Sequence, residues 1–241
     1  MNAIAAPSTL DPNQAIGQIA VQLPGATAVF RRLKLDFCCG GQVSLRQAAG
    51  EKGLDVQAVV DELSALQHPS ALPDTGTPGE LIDHIIARYH EVHRAQLPEL
   101  VRMARRVEAV HRENPSTPHG LADALYAMEQ ELLMHMHKEE AVLFPMLRSG
   151  GNSFVRQPIA MMRHEHNDHG QALEHLAELT NDITPPSGAC NTWRALYTGL
   201  AQLREDLINH IHLENNVLFP QFEQAQAQSQ GCGNGGGCGC A

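Results

Sequence analysis

Two segments of the chain, HMHKEEAVLFPML from His135 and HIHLENNVLFPQF from His210, share the frame H-x-H-x-E-x-x-V-L-F-P. On a helix, residues four apart lie on one face, so His135 with Glu139, and His210 with Glu214, each present an imidazole and a carboxylate in one direction. Side-by-side nitrogen and oxygen donors can bind a transition metal. The second histidine of each copy, His137 and His212, is turned about 200° around the helix from the first and is expected to face outward. Asn215 stands where the first copy has Glu140, which leaves Glu139 and Glu214 as the carboxylates of the repeat.

A weaker repeat accompanies this one. His90, His93, Leu97 and Leu100 match His166, His169, Leu173 and Leu176, and His90 precedes His135 by 45 residues as His166 precedes His210 by 44. Two helical hairpins of one pattern follow, each offering two histidines and one glutamate: His90, His135 and Glu139 from one, His166, His210 and Glu214 from the other. At about 1.5 Å rise per residue all six fall at nearly one depth, whereas His111 lies about 32 Å along the helix from His90 and is left out. Six inward donors exceed the four of a usual zinc site. They fit two cations bridged by the glutamates. Imidazole and carboxylate without thiolate suit iron, with manganese and zinc also compatible. The lack of Glu-x-x-His on these helices separates the pattern from ferritin-like sites. A single H-x-x-x-E pair would signify little. Four histidines and two carboxylates buried without a cation, however, would be costly.

The elements that must position these groups are all helical. Segments at Glu80–Glu113, Pro118–Arg148, Phe154–Thr180 and Cys190–Gln226 carry apolar residues at three- and four-residue spacing, the mark of amphipathic helices. Thr117 before Pro118 reads as a cap with proline in the first turn. Short breaks between the segments predict an all-α, up-down-up-down four-helix bundle over residues 80–226. Residues 1–70 alternate short apolar stretches with glycine turns, as a small helical domain would. A Pro/Gly/Ser/Thr-rich linker over 71–79 separates the two, and residues 227–241 form a Gly/Cys-rich tail expected to be disordered.

Composition narrows the function. Net charge is -10 without a basic run, which disfavours nucleic acid. No stretch reaches the roughly 20 apolar residues of a membrane span, and the start lacks a secretory leader, so a cytoplasmic protein is expected. Six cysteines, two of them adjacent and three in the tail, do not make a disulfide framework.

These residues resemble the hemerythrin-like di-iron family, and within it the repair-of-iron-centres proteins. The likeness covers nearly the whole chain: DFCCGG at Asp36–Gly41 resembles their ScdA-like N-terminal signature, HIIARYHEVHRAQLPEL opens the first bundle helix, and HKEEAVLFP and HLENNVLFP resemble the paired ligand motifs. The resemblance implies that His90, His135, Glu139, His166, His210 and Glu214 hold a non-haem centre of two iron ions, bridged by an oxo or hydroxo group. It also implies a cytoplasmic protein that restores iron-sulfur clusters damaged by nitrosative or oxidative stress, with those damaged proteins as partners and NO or O₂ as small ligands. A di-iron NO reductase, and an O₂ or NO carrier or sensor, are the alternative readings.

Secondary roles are read beside these. Glu131 and Asp206 each precede a ligand histidine by four residues and Glu165 precedes His166 directly, so these carboxylates could orient ligands or conduct cations. His93 and His169 are read as solvated surface more readily than as groups touching the ligands. Cys38 and Cys39, before Gly40-Gly41, are expected to expose their thiols. They could contact a cluster, relay electrons or join two copies in a homodimer. Cys190 is read as a small residue at a helix start.

Overall fold

The computed structural model describes residues 10–23, 25–66, 76–152 and 154–223. Most of the expected linker, and the whole of the Cys-bearing tail at 227–241, lie outside the described residues. The chain divides into two compact units, Met1–Thr75 and Gly76–Ala241. Among the described residues it forms eight helices, counting as one each bundle helix that runs on through a π turn, and no strand.

The first unit contains α1 (Ile16–Gln22), α2 (Ala26–Arg32), α3 (Leu45–Glu51) and α4 (Val56–Ser64). None is long enough to persist alone. They are held by a core of Ile16, Ile19, Phe30, Phe37, Leu45 and Leu63. Ser44 and Asp55 cap α3 and α4, accepting from the backbone N–H of Gln47 at 3.2 Å and of Gln57 at 2.9 Å. The DFCCGG turn joins α2 to α3. Its Asp36 carboxylate accepts from the N–H groups of Cys39 at 2.9 Å and Gly40 at 3.0 Å. A side chain at residue 40 would meet the Asp36 carbonyl at 3.0 Å, which accounts for the glycine.

The second unit is a four-helix bundle. Helix α5 runs from Pro78–Ile85 through a π turn at Ile86–His90 into Glu91–Val110. Helix α6 joins Leu121–Lys138, a π turn at Glu139–Leu143 and Phe144–Arg148; α7 is Arg156–Leu179; α8 joins Asn191–His212 to a π turn at Leu213–Leu218 and continues to residue 223. Each helix packs on its two neighbours, α5 on α6 and α8, and α7 on α6 and α8. This is the closed ring expected of short connections.

The starts of α5 and α6 are set by interactions other than those the sequence suggests. Helix α5 begins at Pro78 rather than Glu80: Thr77 and Glu80 form a capping box, the Thr77 hydroxyl accepting from the Glu80 N–H at 3.3 Å and the Glu80 carboxylate from the Thr77 N–H at 2.7 Å. Helix α6 begins at Leu121, not Pro118. Thr117 does not cap it, because its hydroxyl donates to the His111 carbonyl at 2.6 Å. Gly120, at φ 89°, makes the turn, and Glu108 from α5 accepts from the Ala122 N–H at 2.9 Å. A cap supplied from another helix leaves no local sequence signal.

The bundle core is layered. Where α5 and α7 begin and α6 and α8 end, Leu81, Ile85, Phe144, Leu147, Ile159 and Phe219 form an apolar plug. Farther along α5, Leu97, Leu100 and Ala104 are buried, with Leu125 and Leu132 of α6 and Leu200 and Leu203 of α8. Between these apolar layers lies a level where histidines and glutamates are buried instead. Leu97→Ala is expected to destabilise the protein by about 2–5 kcal/mol through the lost burial and the cavity left behind, read as a lowered urea midpoint without loss of helical circular dichroism in the native baseline.

Candidate metal centre

Three of the four bundle helices pass this polar level as a π turn. His90 ends the π turn of α5, Glu139 opens that of α6, and Glu214 lies within that of α8. In the two repeated segments the Glu139 carbonyl accepts from the Phe144 N–H and the Glu214 carbonyl from the Phe219 N–H, five residues on rather than four. This extra residue shifts the register so that each glutamate and the phenylalanine after it both reach the bundle axis. In α6, Pro145 follows directly within the first two positions of the new helical segment, where a missing N–H does least harm.

The six predicted residues converge. His90, Glu139, His210 and Glu214 form one buried group, and His135, Glu139, His166 and Glu214 a second. Nε2 of His90 and of His210 are 3.1 Å apart, as are those of His135 and His166. The Glu139 carboxylate divides between the groups, one oxygen 3.4 Å from His90 Nε2 and the other 3.4 Å from His135 Nε2. Glu214 does the same, at 3.1 Å from His210 Nε2 and 3.0 Å from His166 Nε2. Donors held at about 2.1 Å from a common ion stand about 3.0–3.4 Å apart, so these spacings fit a cation in each group.

The far side of each ring fixes its tautomer. His90 Nδ1 lies 2.6 Å from a Glu140 oxygen, His135 Nδ1 2.9 Å from Glu165, and His166 Nδ1 2.9 Å from the Asn215 carbonyl oxygen. Those oxygens can only accept, so the rings carry their proton on Nδ1 and turn bare Nε2 lone pairs inward. His210 differs. Its Nδ1 has no hydrogen-bond partner, and the ring stacks on Tyr89 with centroids 5.5 Å apart. Phe144 and Phe219 stack on His90 and His166 and close the plug side of the site.

Burial and the facing Glu214 charge push the Glu139 carboxyl well above the usual range. Burial lowers His90, His135 and His212 to about 4, His169 to about 3 and His93 to about 2. Glu165 is brought down to about 2 by its hydrogen bonds with His135 and Lys138.

Several expectations for the surroundings need correction. His93 and His169 are buried, not solvated. His137 is exposed, but His212 is buried, its Nδ1 3.0 Å from the Asn216 amide nitrogen; α8 buries Ile211 and His212 next to His210, so more of its circumference is covered than in α6. Glu131 is exposed, lying about 40° around α6 from His135 on the side opposite Glu139. Asp206 is buried and pairs with Arg88 at 2.5 Å rather than with His210. His111 lies elsewhere, 3.2 Å from the Cys190 sulfur, and Cys190 holds the N-cap position of α8. Cys38 is buried, contrary to the expected exposure, while Cys39 is half-buried; their sulfurs are 3.6 Å apart, and the Cys39 hydrogen bond and then burial raise the Cys38 thiol. Sequence reasoning missed Glu140 and Asn215. Their shared position directly after the bridging glutamate was the available signal, obscured because the two residues differ.

A four-helix bundle enclosing two imidazole pairs and two shared carboxylates defines a hemerythrin-type cation-binding protein, and the chain belongs to that family: residues 81–222 match the hemerythrin HHE cation binding domain. Residues 12–67 match ScdA_N, a domain of unknown function. More particularly, the chain is 50% identical over 212 residues to the iron-sulfur cluster repair protein YtfE of Dickeya chrysanthemi (strain Ech1591), and 51% identical to the YtfE proteins of Yersinia pseudotuberculosis serotype IB (strain PB1/+) and Yersinia pestis (strain Pestoides F). In each case 87% of this chain and 96% of the relative are covered. Among the described residues no helix is long and apolar enough to cross a membrane.

Buried His90, His93, His135, His169 and His212 predict an acid-labile fold. Neutral when folded, they bind protons near pH 6.5 once the chain unfolds, so the unfolded state holds more protons between about pH 6.5 and 4. Stability is therefore lost as pH falls through that window, by up to about 1.4 kcal/mol per pH unit for each histidine. The urea midpoint of the metal-free protein should fall steadily from pH 7 to pH 5, and His212→Gln should make that fall shallower.

Proposed function

We propose that this chain holds two iron ions at His90, His135, Glu139, His166, His210 and Glu214 and repairs iron-sulfur clusters damaged by nitrosative or oxidative stress, by donating iron or handling NO. The observation that supports it best is the division of each glutamate's two oxygens between the two imidazole pairs, an arrangement with no purpose for one ion. Names given to the relatives, iron-sulfur cluster repair proteins, support the choice of client.

When bound, paired irons supply one-electron redox chemistry and open positions for NO or O₂. The chain's own residues do the rest. Glu140, Glu165 and Asn215 hold the Nδ1 protons and keep three rings turned inward, while the phenylalanine plug excludes water. Where iron is the cargo, Glu165 is the natural first oxygen on its way out, since it touches a ligand ring, pairs with Lys138 and is 18% exposed. In the first unit, the half-buried Cys39, beside buried Cys38 and exposed Asp36, is the thiol a client cluster would reach first. The protein acts in the cytoplasm.

Metal analysis with Mössbauer spectroscopy on protein purified without a tag tests this reading. Two coupled irons per chain are expected in the wild type and at most one in Glu139→Leu or Glu214→Leu; a single zinc per chain contradicts it. Iron transferred to an apo iron-sulfur protein supports repair by donation. N₂O formed in a single turnover of the reduced protein would favour the NO reductase instead, and reversible gas binding without iron loss a carrier.

A further inference from the structure

His93 and His169 take no part in the site so far described, yet they are the most anomalous polar groups in the bundle. They are 0% and 2% exposed, and all four of their ring nitrogens are buried without a hydrogen-bond partner. Buried imidazoles ordinarily find a partner, because a buried donor or acceptor left unsatisfied is costly. Nor are they strays: each stands three residues beyond a histidine of the metal centre, at matching positions of the two hairpins.

Their neighbours say what they serve. The His93 ring lies 5.5 Å from that of His210 and 6.4 Å from that of Tyr89. The His169 ring meets that of His135 edge-on at 4.9 Å. His93 therefore sits against a ring of the first group and His169 against a ring of the second, on the side away from Phe144 and Phe219, which cover His90 and His166. The plug side is apolar and filled. The opposite side presents two imidazoles, each with one donor and one acceptor when neutral.

We propose that His93 and His169 form a hydrogen-bonding chamber that receives a two- or three-atom ligand with electron-rich ends as it reaches the metal centre, one histidine serving each ion position. This rests on the di-iron reading above and adds the residues that hold small molecules at the centre. A ligand bridging the chamber accepts from one N–H of each ring, so part of the cost of burying the pair is recovered only in the bound state. An apolar residue at either place would be better for stability and worse for binding.

Azide is a suitable probe, titrated into the oxidised, iron-loaded full-length protein and followed by its charge-transfer absorption and infrared stretch. In the wild type the stretch should shift between H₂O and D₂O, reporting a hydrogen bond from an exchangeable N–H. His93→Leu and His169→Leu should each weaken azide at least tenfold with iron content unchanged, and raise the thermal midpoint. His93→Gln and His169→Gln, which keep a donor, should stay within about threefold. Azide bound by both leucine variants as tightly as by wild type, iron lost from them, or no isotope shift in the wild type overturns the inference. The wild-type iron content separates it from its foundation: absent iron removes both, whereas two irons with unaltered azide affinity remove the chamber alone.

Discussion

Everything at the centre of this bundle follows from one electrostatic problem. Four imidazole lone pairs and two carboxylates point at one another within about 3.4 Å in a region closed to water. Protein groups cannot resolve this, because each ring's only proton is engaged on its far side in the three cases where a partner is seen. Cations held among these donors would relieve the repulsion. Binding is thereby coupled to folding, since the chain has built its interior around charge it does not itself supply.

The backbone solution is economical in sequence and unusual in geometry. Regular helices would place a glutamate four residues after a histidine on one face but would carry the following phenylalanine past the axis. The π turns at Glu139–Leu143 and Leu213–Leu218 absorb one residue each, so donor and plug both point inward. Helix α7, which contributes only His166, stays regular through its length. The irregularity thus occurs where a carboxylate and an aromatic must share a face, and at His90, where α5 passes between the plug and the deeper core.

The two hairpins are alike in their donors and unlike in what supports them. Glu140 is charged and tied to Arg94 at 2.7 Å, whereas its counterpart Asn215 is neutral. Glu165 supports His135, but the residue before His90 is Tyr89, which stacks on His210 rather than bonding to it. The two donor groups therefore have matching donor types but different electrostatic surroundings. Such asymmetry would let one group hold a cation more loosely than the other.

The duplicated H-x-H-x-E-x-x-V-L-F-P frame and the echo at His90 and His166 were enough to determine the all-helical bundle and the six inward residues, because helical spacing fixes which side chains share a face and rise per residue fixes their depth. What each face meets was decided only by the tertiary structure. Glu140, Asn215 and Glu165 bond to rings 30 to 50 residues away, the cap of α6 comes from Glu108 on α5, and the burial of His93, His169 and His212 depends on which neighbours stand beside them. Periodicity along one helix gives direction about that helix's own axis. The partner across the interface is a property of the packed ring of four, and no single segment carries it.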